Sequence, residues 1–141
     1  MTTPTTAFNS LSHQPETQSL SQKQLWTGRV LSGVIGLLFL VDGAAKLFKP
    51  AAVVQATTQL GYPESTIIGI GILLIVCTTL YLIPRTAVLG AILLSGYLGG
   101  AVATNVRVSA PLFNIVFPVF FGGLVWLGLY LRDRRLRSIL A

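Results

Sequence analysis

Polar and apolar positions separate along the chain into long blocks. Uncharged runs cover residues 65–84, 86–106 and 108–131, which is 20, 21 and 24 positions. A helix needs about 20 mainly apolar residues to cross roughly 30 Å of hydrocarbon, so each run predicts one membrane span. The first apolar block is shorter. Its uncharged part, residues 30–41, has 12 positions, or about 18 Å of helix at 1.5 Å per residue. It spans only if the helix starts near Trp26 and continues through Asp42 to about Phe48. The expected fold is all-α: a transmembrane four-helix bundle with spans at about 26–48, 65–83, 86–106 and 111–131.

The connections sharpen this picture. Ile83-Pro84-Arg85-Thr86 leaves room only for a tight turn between antiparallel helices. Residues 105–111 form a short loop, and Pro111 suits the first turn of the last span. Residues 49–64 are longer. Val53, Val54, Thr57 and Leu60 share one helical face, which predicts a short interfacial helix between spans one and two, ended by Gly61-Tyr62-Pro63. Pro118 is expected to kink the last span. In the third span, Ser95, Gly96, Gly99, Gly100 and Ala103 place small residues on adjoining faces. They are expected to serve close packing within the bundle, with a contact to a second copy of the chain as the other use.

Thirteen of the first 25 residues are Ser, Thr or Gln. Residues 1–25 are therefore expected to form a flexible polar tail, too poor in apolar groups to repay the entropy of ordering. They lack the basic start and apolar core of a signal peptide, so the first span is expected to act as both insertion signal and anchor. Residues 132–141 read as a basic C-terminal tail.

Composition agrees with lipid as the solvent. Apolar residues make up 52% of the 141 and charged residues 10%, against roughly 25% charge in soluble domains; mean hydropathy is +0.74. A soluble domain of this size buries only about two-thirds of its unfolded surface and could not hide so much apolar area. The net charge of +6 points away from nucleic acid, because the basic residues flank apolar runs. With four spans, the N-terminus, the 83–86 turn and the C-terminus share one side. That side holds Lys23, Arg29, Arg85, Arg132, Arg134, Arg135 and Arg137, against Lys46, Lys49 and Arg107 on the other. The positive-inside rule then places both termini in the cytoplasm of a multi-pass cell-membrane protein. Arg132-Asp133-Arg134-Arg135-Leu136-Arg137 reads as a topology anchor beside anionic lipid. Trp26, Trp126 and Tyr130 read as interfacial aromatics, and Tyr97 and Cys77 as packing residues.

The sharpest chemical feature is Asp42 with Lys46. Four apart, they share a helical face in the favourable order. An ionisable residue within a span marks a functional site by default; the competing structural reading has Asp42 neutralising a Lys46 that snorkels to the interface. Asn105 and Arg107 end the third span on the same side, where Tyr62, Glu64, Gln55 and Asn114 also lie. A polar pocket of Asp42, Lys46, Asn105 and Arg107 is expected at that mouth of the bundle, with the other four as weaker members. Arg107 also reads as an interfacial anchor, and Glu64 as a complement to a helix dipole. No catalytic or metal-ligating set emerges. The lone histidine, His13, precedes the spans, so two histidines cannot ligate haem within one chain. There is no CxxC, no HExxH and no GxSxG, which leaves disulfide-forming and hydrolase chemistry without support. No span carries a Glu, against a small proton-coupled exporter.

Gly43-Ala44-Ala45-Lys46-Leu47, Leu60-Gly61-Tyr62-Pro63, Leu82-Ile83-Pro84-Arg85-Thr86, Gly100-Ala101 and Asn105-Val106-Arg107 follow one another in an order and spacing that resembles the DoxX-like family of small four-helix membrane proteins, over roughly residues 29–130. That family often has a histidine near the position of Asn105; this chain has none. The resemblance implies the fold, the membrane location and an association with quinol oxidase or thiosulfate:quinone oxidoreductase systems. The chain itself supplies no redox-active side chain, so it is not expected to be an enzyme on its own or to hold a cofactor with its side chains; contact with a quinone is the one cofactor link expected. Expected partners are the bilayer, a membrane redox protein and a second copy of the chain. Two functions follow: an accessory subunit of a quinone-linked system, or a stand-alone binder or transporter of a small anion or lipid-like molecule using Lys46 and Arg107. A membrane chaperone or stress-response role is neither supported nor excluded.

Overall fold

The computed structural model describes residues 14–140, with side chains from residue 22 onward. Six α-helices follow in order: α1 (Gln14–Phe48), α2 (Ala51–Gln59), α3 (Ile67–Leu82), α4 (Ala87–Arg107), α5 (Leu112–Arg132) and α6 (Arg134–Leu140). A 3-10 turn at Glu64–Thr66 leads into α3. Four stretches are long and apolar enough to cross a membrane: Gln22–Phe48, Glu64–Leu82, Ala87–Arg107 and Leu112–Arg132. The expected all-α four-helix bundle is the observed one.

The spans form a ring. α1 packs on α3 and α5, and α4 packs on the same two helices from the opposite side. Consecutive spans joined by short connections give up-and-down topology. The α3–α4 turn, the start of the α1 span and the end of α5 share one end, here called the terminal end. The α2 segment and the α4–α5 loop form the loop end.

The core runs down the centre of the ring through Ile35, Phe39, Leu74, Cys77, Tyr81, Ala91, Leu94, Leu98, Val125 and Leu129. Only 22–33% of each span is buried within the chain. The remaining faces are also apolar, with Leu37, Leu38, Ile72, Leu73, Val76, Leu89, Ile92 and Phe120 exposed. A helix apolar on all sides needs burial or lipid around it, so these faces belong against acyl chains.

Glycine sets how closely the helices approach. At the terminal end a Cβ on Gly90 would overlap the Tyr81 backbone across the α3–α4 turn. A Cβ on Gly28 would lie 2.6 Å from the Arg132 nitrogen, and one on Gly71 2.9 Å from the Gly43 carbonyl. These positions fix the α1–α5 and α1–α3 crossings. Gly96, Gly99 and Gly100 behave differently: each faces open space. The expectation that they pack within the bundle is therefore corrected. α4 turns Gly90, Ala91, Leu94 and Leu98 inward, and Gly96, Gly99 and Gly100 fall on the opposite side of the helix.

Residues 14–25, expected as part of a flexible tail, instead extend α1 by about three turns. Once a span has nucleated a helix, each further residue gains one hydrogen bond, and residues 16–27 contain neither Pro nor Gly. The rest of that expected tail, residues 1–13, lies outside the described residues. The C-terminal tail also folds, as α6. Asp133 caps it by accepting the Arg135 and Leu136 backbone N–H groups at 2.9 and 3.4 Å, and Leu136 packs on the core. α5 continues unbroken through Pro118, which is buried. The interfacial helix appears as α2, with no buried residue. Gly61 ends that segment with φ +87°, a left-handed conformation that side chains disfavour.

Candidate functional site

The inward stripe of α1 leads toward the ion pair near its loop end. Ser32, Ile35 and Phe39 are buried on one face, and the same three- and four-residue steps lead to Asp42 and Lys46. A face that is core over two turns thus becomes an ion pair as it nears the loop end. Lys46 Nζ donates to Asp42 Oδ2 at 2.5 Å, with the Lys46 side chain 16% exposed and the Asp42 side chain 52% exposed. Lys46 is the shielded partner, and its stem packs beside Gly71 of α3. Asp42 lies six residues before the end of α1, about 9 Å of helix.

Tyr97 stands opposite, on α4. It packs against the core and lies within electrostatic reach of Asp42, Cys77 and Tyr62. Its depth is ten residues from the end of α4, about 15 Å. No buried side-chain oxygen or nitrogen lacks a partner among the described residues. The Tyr97 hydroxyl makes no hydrogen bond to them, so it borders accessible space. Tyr97 thus lies across the ring in electrostatic reach of Asp42, on α4, the helix that the ring keeps apart from α1.

A second cluster closes the loop end beside it. The Tyr62 and Thr104 hydroxyls are 2.9 Å apart. Arg107 Nη2 donates to the Leu60 carbonyl at 3.0 Å, and the same nitrogen would lie 2.9 Å from a Cβ on Gly61. Gly61 is thus required twice, for its φ and for the guanidinium beside it. Together these contacts pin the α2–α3 connection onto the end of α4. Asn105 is buried but turns its amide back to the Ala101 carbonyl at 2.8 Å. It borders a groove of about 380 Å³ with Gln59 and Asn114.

Of the four residues expected to converge, Asp42 and Lys46 pair with each other on α1, Asp42 half exposed, Arg107 belongs to the loop clamp, and Asn105 bonds only to its own helix. Tyr62 is the weaker candidate that joins the two clusters, through Thr104 and its proximity to Tyr97. Glu64 is drawn instead toward Lys49, at 3.9 Å. Gln55 stands exposed on α2. Sequence reasoning missed Tyr97 as a site residue. The signal available was a tyrosine in the middle of an apolar span.

The terminal end holds a polar network that sequence reading also missed. Tyr81 is fully buried. Its hydroxyl donates to the Val125 carbonyl at 2.9 Å and, with its one proton so used, accepts from Ser32 at 3.0 Å. Arg132 donates to the Tyr81 carbonyl and lies over its ring, 4.7 Å from the centroid. One side chain thus ties α1, α3 and α5 together. Trp126 donates its indole N–H to Ser95 at 2.8 Å, so this exposed ring, expected at the interface, also ties α5 to α4.

A ring of four apolar helices, each long enough to cross a membrane, defines a small polytopic membrane protein. The DoxX-like family model matches residues 30–128, well over half of the chain, and the chain belongs to that family. No curated protein and no solved structure gives a match.

Proposed function

We propose that this DoxX-like protein is an accessory subunit of a quinone-linked membrane system, and that its loop end contacts the head of a lipid-soluble carbonyl compound. The observation that carries the reading is the change of the α1 inward stripe from Ile35 and Phe39 to Asp42 and Lys46, opposite Tyr97. Lys46 and Tyr97 supply an ammonium and a hydroxyl, both donors suited to a carbonyl oxygen. Asp42 leaves the cluster without net charge, which favours a neutral head over an anion. Apolar faces of the ring offer a lipid-soluble tail a path that never leaves hydrocarbon.

The alternative, a stand-alone binder or transporter of a small anion, rests on Lys46 and Arg107 as available cations. Both are engaged, Lys46 by Asp42 and Arg107 by the Leu60 carbonyl. The geometry therefore supports the neutral ligand better. The deciding experiment is affinity purification of the tagged full chain in mild detergent, with mass spectrometry of proteins and extractable lipids. A redox enzyme eluting in stoichiometric amount is the expected result. Recovery of the chain alone with quinone or lipid replaces the accessory role by the stand-alone one. Recovery with neither partner nor quinone overturns both parts of the proposal.

A further inference from the structure

A cavity of about 880 Å³ opens at the terminal end, far from Asp42 and Lys46. Five arginines line it from three separate stretches: Arg29 on α1, Arg85 in the α3–α4 turn, and Arg132, Arg134 and Arg135 at the α5–α6 corner. One carboxylate, Asp133, shares the lining, and it caps α6. The ion pairs among the described residues involve Lys46 and Lys49 only, so none of the five guanidinium groups has a carboxylate partner among the described residues. Five positive groups against one negative make a lining of net charge +4, beside a low-dielectric bundle where like charges repel more strongly than in water.

The arrangement is built, not a frayed basic tail. Arg132 is fixed by the Tyr81 carbonyl and ring. Arg137 lies outside the cavity and holds α6 in place. It donates to the Tyr130 carbonyl at 2.9 Å, to the Leu131 carbonyl, and to Gln24 Oε1 at 2.9 Å. That fastening carries Arg134 and Arg135 over the cavity, facing Arg29 and Arg85. The floor is apolar, formed by Leu82, Leu129 and Leu136. Small-molecule pockets run from roughly 300 to 1,000 Å³, and this one is much larger than a lone phosphate needs. Planar guanidinium forks match phosphate oxygens two at a time.

We propose that this cavity binds the phosphate of an anionic amphiphile, supplied by an acidic phospholipid of the adjoining leaflet, with the apolar floor receiving the start of its acyl chains. The site is independent of the loop-end reading.

The test uses the full chain in mild detergent with native mass spectrometry, offered phosphatidylglycerol or phosphatidylcholine at equal concentration. Phosphatidylglycerol is expected to be retained at least tenfold better. Arg85→Gln is expected to lower that retention about fivefold, the worth of one basic residue near an anionic lipid surface. The Arg85 side chain makes no hydrogen bond or ion pair to another group among the described residues, so the thermal stability of the variant should match the wild type and separate binding from folding. Lys23→Gln removes the same charge at the same end but outside the cavity, and should leave retention unchanged. Equal loss in the two variants, or no preference between the lipids, overturns the site. A further arm adds inorganic phosphate and glycerol 3-phosphate. Binding of these soluble esters in the absence of any retained phosphatidylglycerol overturns the lipid as the source.

Discussion

At the terminal end Tyr81 is fully buried, its hydroxyl engaged with Ser32 and Val125 and its carbonyl with Arg132. Midway along α4, Tyr97 is only partly buried and lies in electrostatic reach of Asp42. The two tyrosines carry the same chemistry in one membrane bundle and do opposite work. A fully satisfied polar network makes a region rigid and unique. A polar group left facing space has a donor to offer a ligand. The Tyr81 network thus holds the helices together, and the Tyr97 hydroxyl stays available.

The largest effect should come from breaking the closest approach at the terminal end. Gly90→Ala places a methyl against the Tyr81 backbone, where no side chain can swing aside. Overpacking costs about 1–3 kcal/mol and occasionally more; a loss of about 3 kcal/mol or more is expected here, read as thermal unfolding in detergent. Stability within about 0.5 kcal/mol of the wild type would mean that α3 and α4 are not held this closely.

A matched pair of substitutions addresses the contrast itself. Tyr81→Phe removes a hydroxyl that makes two buried hydrogen bonds, and polar contacts between membrane helices average about 0.6 kcal/mol each, with a maximum near 1.7. A loss of about 1 kcal/mol is expected. Tyr97→Phe removes a hydroxyl with no such partner and should change stability by less than about 0.5 kcal/mol. Equal losses would erase the distinction between the ends. The smallest effect belongs to Gly96→Ala. Nothing lies within 4 Å of a Cβ there, so helix propensity should make the variant neutral or more stable by about 0.5–1 kcal/mol. A clear loss would show that another molecule packs against that face.

The number and limits of the spans were legible because lipid requires long apolar runs, and Pro84, Gly61 and Pro111 stop helices for local reasons. The inward and outward faces were not. In α3 and α4 both faces are apolar, since acyl chains are as apolar as the core, and the amphipathic periodicity that orients a soluble helix disappears. That is why Gly96 and Gly100 were taken for interior packing, and why the inward place of Tyr81 was not seen. Polar residues still report direction when they follow a core stripe. Ser32 and Lys46 follow the spacing of Ile35 and Phe39 on α1 and are shielded like them, a direction that the reading of a site at the mouth of the bundle did not use. Arg107 could not be placed from sequence, because its partner is the backbone carbonyl of Leu60, which no side-chain pattern marks. The start of α1 was hidden for another reason: a polar segment continues a helix without needing an apolar face.

The most direct measurement replaces the loop-end pair by apolar residues, Asp42→Leu with Lys46→Leu, in the full chain reconstituted in nanodiscs. Unfolding temperature and equilibrium binding of a short-chain quinone are then read on the same preparation. Replacing both members of a shielded ion pair is often neutral for stability, whereas removing one leaves a charge uncompensated. The expected result is a wild-type unfolding temperature with quinone binding at least tenfold weaker. A folded double variant that binds quinone as well as the wild type would contradict the assignment of Asp42, Lys46 and Tyr97 as the ligand-facing group.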